Sequence, residues 1–191
     1  MGSISYAKTP GRTTDQELRA YLAENLHPGH RIVAQATRPT FSGGYGEWSR
    51  ELFAAVDDGD GNVTCHVLLG ASHSGDIVIK ALHETMGPNE NPDPPRRVLD
   101  ALTPTSNRCA LVFREMAREA LQRKDAAKAM AGYTIEFDIA LDYGGGWGKL
   151  TRFTVESMTR FTGPDGCGRF RAPAAWWMRN WVVVDGPAFA A

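Results

Sequence analysis

ELFAAVDDGDGNVTCHVLL, residues 51–69, decides how this chain folds. Two runs of β-favouring residues, at 51–56 and 63–69, flank DDGDGN at 57–62, whose glycines and aspartates suit a reversal of the chain. The stretch therefore predicts a β-hairpin. Three aspartates in one loop also suggest calcium. An EF-hand, however, needs alternating acidic ligands, a glycine at its sixth position and a glutamate at its twelfth, and no register here supplies all three. The loop reads as a hydrated turn.

On the N-terminal side, TTDQE at 13–17 opens a helix, with Thr14 placed to cap the first free amides and Glu17 to reach back. Leu18, Tyr21, Leu22 and Leu26 recur at helical spacing, and HPGH at 27–30 ends the run. A strand is expected over 32–37, followed by the Gly-rich loop FSGGYGEWSR at 41–50. On the C-terminal side, KALHETMGP at 80–88 reads as a charged helical turn stopped by Gly87 and Pro88. Four prolines over 88–95 exclude regular helix or central strand there. A short helix over 98–102 and a long one over 106–130 come next, the latter with Ala110, Phe113, Ala117, Ala120 and Leu121 on one face. From Tyr133 the period becomes two: Tyr133, Ile135, Phe137 and Ile139 alternate with Thr134, Glu136 and Asp138. GGGWG at 144–148 is a turn without the Lys-Ser/Thr tail of a phosphate loop, and further strands are expected at 150–161, 169–171 and 181–184.

These elements predict an α+β fold. An N-terminal α/β half with a β-hairpin and a long central helix spans 1–131, and a small antiparallel β unit, an SH3-sized barrel or curled sheet, spans 132–191.

The 191 residues suffice for a proper core, and 42% hydrophobic with 23% charged residues is a globular composition. No apolar run is long enough to span a bilayer, so no membrane partner is expected. Cys65, Cys109 and Cys167 are odd in number and widely spaced, which indicates neither a disulfide framework nor a zinc site, and each is expected to be a small buried hydrophobe. Charge is uneven beneath a net value of −1: residues 51–100 sum to −6, whereas residues 151–191 sum to +2 with every base an arginine. Such a chain is not a general nucleic-acid binder, so any contact with nucleic acid must be local.

Two clusters could carry chemistry. If residues 80–84 are helical, Lys80 and Glu84 share a face with His83 beside it, a cation to hold an anionic ligand next to an acid that moves a proton. The plain alternative is an exposed ion pair. His66, His73 and His83 offer a metal alternative, but HExxH is absent because Thr85, Met86 and Gly87 follow Glu84, and no metal or cofactor is expected. No Gly-x-Ser-x-Gly elbow supports hydrolysis through serine. The second cluster is Arg169, Phe170, Arg171, Trp176, Trp177, Arg179 and Trp181, which can stack bases and bind phosphates. The plain alternative is that Trp177 and Trp181 close a core which arginine stems rim.

Lys80, Glu84, Met86, Gly87, Pro88, Leu99, Asp100, Leu102, Pro104 and Arg114, with Ser5 to Ala7 near the start, follow a recognisable pattern. In it the chain resembles an uncharacterised family of small proteins carried by phages, plasmids and integrative elements, whose motif is approximately YKDMDESMGP and here reads IKALHETMGP. The chain departs from that pattern at Ile79, Leu82, His83 and Asp93-Pro94, where the family has Tyr, Met, Asp and Cys-Pro. The resemblance covers roughly residues 3–120. It implies an accessory protein of a mobile element, among genes where anti-defence and DNA-handling proteins are frequent; a cytoplasmic location, that of the bacterial host, is expected from the lack of a membrane-spanning or signal-type apolar run.

Together these observations lead to a non-enzymatic accessory protein that binds a host defence component or nucleic acid, single-stranded by preference, through Arg169, Arg171, Trp176, Trp177 and Arg179. The competing expectation is a nucleotide-like small molecule bound or hydrolysed at Lys80, His83 and Glu84. No catalytic residue is assigned.

Overall fold

The computed structural model describes residues 3–39, 49–86, 94–144, 146–173 and 176–187. The fold is α+β and mostly β, and the chain divides into two compact units, residues 1–119 and 120–191.

The first unit is built on five antiparallel strands, β1 (Ser3–Ala7), β2 (Arg31–Pro39), β3 (Arg50–Asp57), β4 (Val63–His73) and β5 (Asp76–His83), in the order β1-β5-β4-β3-β2. The expected hairpin is β3–β4, with Asp57 paired to Val63. Its turn is closed by Asp58, whose carboxylate accepts from the Asp60 and Asn62 amides at 2.9 and 3.1 Å.

Helix α1 (Thr14–Glu24) covers one face of this sheet, burying Leu18 and Leu22 against Leu52, Ala54, Val56, Leu68, Ile77 and Ile79. Its cap lies one residue earlier than expected: Thr13 accepts from the Gln16 amide and the Gln16 side chain returns to the Thr13 amide. Glu17 is buried instead, accepting from the Thr9 amide at 2.6 Å. The opposite face packs Phe53, Ala55, Cys65 and Val67 under Val98 of α2 (Arg96–Leu99) and Phe113 of α3 (Arg108–Lys128). With both faces covered, residues 52–57 are all buried, which is why LFAAV shows no alternation in the sequence.

KALHETMGP corrects the helical expectation. Residues 76–83 form β5, a central strand, and only Glu84–Met86 make a 3-10 turn. Ser74 and Gly75, with φ of 51° and 91°, form the tight connection from β4 that a two-residue hairpin favours. Lys, Ala, Leu and Glu are good helix formers, but pairing on both sides with β4 and β1 overrides that preference. Gly87 and Pro88, most of the proline-rich connector and residues 41–48 of the Gly-rich loop lie outside the described residues.

The second unit has strands β6 (Thr134–Asp142), β7 (Lys149–Ser157), β8 (Arg160–Thr162), β9 (Arg169–Arg171) and β10 (Trp181–Asp185), antiparallel in the order β10-β6-β7-β8-β9. The sheet is open, with β10 and β9 as its edges, so the barrel expectation is not met. The run at 150–161 is two strands, because Met158 and Thr159 turn the chain between β7 and β8. Ile135, Phe137, Phe153, Val155, Phe161 and Trp176 form the core with Ala127 of α3. Phe153 stacks on Phe161 at 5.3 Å, and Trp176 meets Phe161 edge-on at 5.2 Å.

Candidate functional site

Lys80, His83 and Glu84 are held apart. In β5 the side chains alternate, and the register sets Lys80 beside Leu69 and His83 beside His66, on opposite faces of the sheet. Lys80 lies within the strand, whereas Glu84 lies beyond its end, in the 3-10 turn. His83 instead meets His66 edge-on at 4.6 Å, with its Nε2 3.1 Å from the Thr64 hydroxyl and its Nδ1 2.6 Å from that of Thr85. Burial, followed by His83 and His30, pushes the His66 imidazole down to about 4, and burial likewise lowers that of His83. The described residues hold no cluster of three or more metal-ligating side chains.

Glu84 is consumed by a structural partner. Arg114 of α3 grips its carboxylate as a two-pronged fork, Nε to Oε2 at 2.8 Å and Nη2 to Oε1 at 2.7 Å, while Nη1 donates to the Thr103 carbonyl. Both residues are buried. Spacing within residues 80–88 gave no hint of Arg114, 30 residues away. Cys65 lies nearby in the core, whereas Cys109 is half-buried and Cys167 exposed, so the expectation of three buried thiols holds for Cys65 alone.

In the second unit, an open groove of about 550 Å³ is lined by Arg123, Asp138, Trp177, Arg179, Asn180 and Trp181, together with Glu136, Phe137 and Val182. Several walls have defined partners. Asn180 donates to the Asp138 carboxylate at 3.1 Å, Arg152 pairs with Glu136 at 3.0 Å, and the Lys124 ammonium sits 5.4 Å from the Trp177 ring centre. Arg123 and Arg179 make no ion pair with the described residues. Trp177 and Trp181 are half-buried, leaving part of each ring at the groove.

Trp176 is not a contact residue. The 3-10 turn Trp176–Met178 sends it into the core, 0% exposed, where its Nε1 donates to the Met158 carbonyl at 3.2 Å. Arg169 and Arg171 lie on β9, away from the groove lining, and border a second concavity with Arg160. Thus the sequence-predicted cluster is split: Trp177, Arg179 and Trp181 share one groove, Arg169 and Arg171 another, and Trp176 supports the core. Neither Arg123 nor Arg160 was assigned to this cluster from sequence. An Arg-Phe pair at 160–161 matching Arg-Phe-Arg at 169–171 is the sequence cue for Arg160, once the two segments are known to pair.

No family model matches the chain, and neither the curated proteins nor the solved structures contain a match.

Proposed function

We propose that the protein is a non-enzymatic accessory protein of a phage or mobile element that binds single-stranded nucleic acid through its second unit. One observation carries this reading: two arginines without an ionic partner among the described residues share a groove with two half-exposed indoles. Base stacking on indole contributes about 1–3 kcal/mol per base and tolerates any sequence, while guanidinium groups track the phosphates. Support for a role without catalysis comes from the acid-base candidates themselves, since Glu84 is committed to Arg114 and His83 faces away from Lys80. The resemblance to proteins of mobile elements supplies the biological setting.

Fluorescence anisotropy with labelled oligo(dT) and oligo(U) tests the proposal. Trp177→Ala should weaken binding by about 5-fold or more, and Arg123→Ala with Arg179→Ala should reduce the slope of log affinity against log salt by about one for each phosphate no longer neutralised. Failure of the unaltered protein to bind either oligomer at low salt would refute it.

A further inference from the structure

The outward face of β8 and β9 gathers charge that the fold leaves unbalanced. Arg160 stands directly opposite Arg171 across the ladder, Phe161 opposite Phe170, and Thr162 opposite Arg169. Because Phe161 and Phe170 are buried, the residues alternating with them all face outward. Directly opposed residues of an antiparallel pair have Cβ atoms about 4.5–5.5 Å apart, and like charges placed so repel. Arg169 is restrained, since its Nε donates to Glu156 at 3.0 Å and the Thr162 hydroxyl donates to the same carboxylate oxygen at 2.5 Å. Glu156 lies within electrostatic reach of Arg160 but forms its hydrogen bonds with Arg169 and Thr162. Arg160 and Arg171 make no ion pair among the described residues. A single carboxylate against three guanidinium groups leaves an excess of positive charge over a concavity of about 400 Å³ lined by Thr159, Arg160, Arg169, Phe170 and Arg171.

We infer that this concavity is a phosphate site, in which Arg160 and Arg171 approach one phosphate from neighbouring strands as planar two-pronged donors. The phosphate belongs either to a nucleic-acid strand, in which case the site extends the function proposed above and rests on it, or to a free phosphate-bearing metabolite. In both cases a bound phosphate removes the repulsion between the two arginines. Occupancy therefore stabilises the fold, and each arginine loses its effect when the other is removed.

Thermal unfolding of the full chain in phosphate and in chloride at matched ionic strength tests the site, using the unaltered protein, Arg160→Ala and Arg171→Ala. Phosphate should raise the midpoint of the unaltered protein by about 2–4 °C beyond any rise in either variant. In chloride, each variant should unfold at or above the temperature of the unaltered protein. An equal phosphate rise in all three would mean general exclusion of phosphate from protein surfaces and would overturn the site. The phosphorus-31 linewidth of inorganic phosphate, titrated with the unaltered protein alone, gives a measure independent of any variant's folding. Broadening that saturates at one phosphate per chain is expected, and its absence refutes the site.

Competition by inorganic phosphate against labelled oligo(dT), with and without a 5′-phosphate, then identifies the source. Displacement of both oligomers indicates a backbone phosphate, displacement of the phosphorylated one alone a terminal phosphate, and displacement of neither a free metabolite. All three outcomes keep the site. Conversely, a phosphate rise confined to the unaltered protein, alongside no oligonucleotide binding, would refute only the groove function.

Discussion

Glu84 and Arg114 show how much one buried pair can fix. Each is 4% exposed or less, and the fork joins the end of β5 to α3 across 30 residues of chain. Removing one partner strands the other's charge or donors in the core, which typically costs about 3–5 kcal/mol. Glu84→Gln and Arg114→Met should each lower the denaturant midpoint of the first unit strongly, and the pair Glu84→Leu with Arg114→Met should recover much of the loss; additive losses in the double variant would contradict a coupled pair. The pairing gives Glu84 and Arg114 a structural explanation that needs no ligand. His66 gives a pH prediction. Its folded-state value of about 4 lies below the ordinary 6.5, so the unfolded chain binds the extra proton first and stability present above pH 6.5 falls as pH drops toward 4. Urea unfolding between pH 7 and 4 should show this decline, and His66→Gln should flatten it. Residue types were legible in the sequence, but their partners were not, because the register that sets His83 against His66 and Lys80 against Leu69 depends on pairing between distant strands.

Among the elements, β1 and β5 were hidden from sequence. The hairpin, α1, α3 and the alternating strand from Thr134 carried local evidence of turn chemistry, capping and period, and these features survive folding. β5 had helix-favouring residues at 80–84, and its cue was the Ser74-Gly75 dipeptide between two apolar runs. The two short strands β8 and β9, of three residues each, owe their existence to Phe161 and Phe170 meeting in the core more than to any intrinsic preference. Docking of α1 on the sheet has its own tight point. A Cβ added at Gly70 of β4 would lie 2.9 Å from Leu18 Cδ2 and 3.1 Å from Thr14 Cγ2, so the buried Leu18 side chain or the helix would have to shift to admit it. Gly70→Ala should push α1 outward and cost about 1–3 kcal/mol by overpacking, read as a lowered thermal midpoint, and pairing it with Leu18→Ala should relieve part of that loss.

At the scale of the whole molecule, α3 is shared by two units with separate cores. Phe113 is buried with the first sheet, Ala127 with the second. Four of the five tryptophans fall in residues 120–191, so indole fluorescence reports chiefly on the second unit. Glu84→Gln should therefore shift the far-ultraviolet circular dichroism midpoint more than the fluorescence midpoint. Equal shifts would show that the continuous helix makes the two units unfold as one. The change of period near Tyr133 puts the expected boundary at residues 131 and 132, whereas the two compact units meet at residues 119 and 120, inside α3.

Cys65 turns the first core into its own clock. Its thiol is wholly enclosed, and burial, with Glu84 adding to it, holds the group in the unreactive protonated form, while Cys167 stands open to solvent in the second unit. Iodoacetamide should therefore alkylate Cys167 at once and reach Cys65 only during brief openings of the sheet. The slow phase of a mass-spectrometric labelling series would thus count how often that interior breathes.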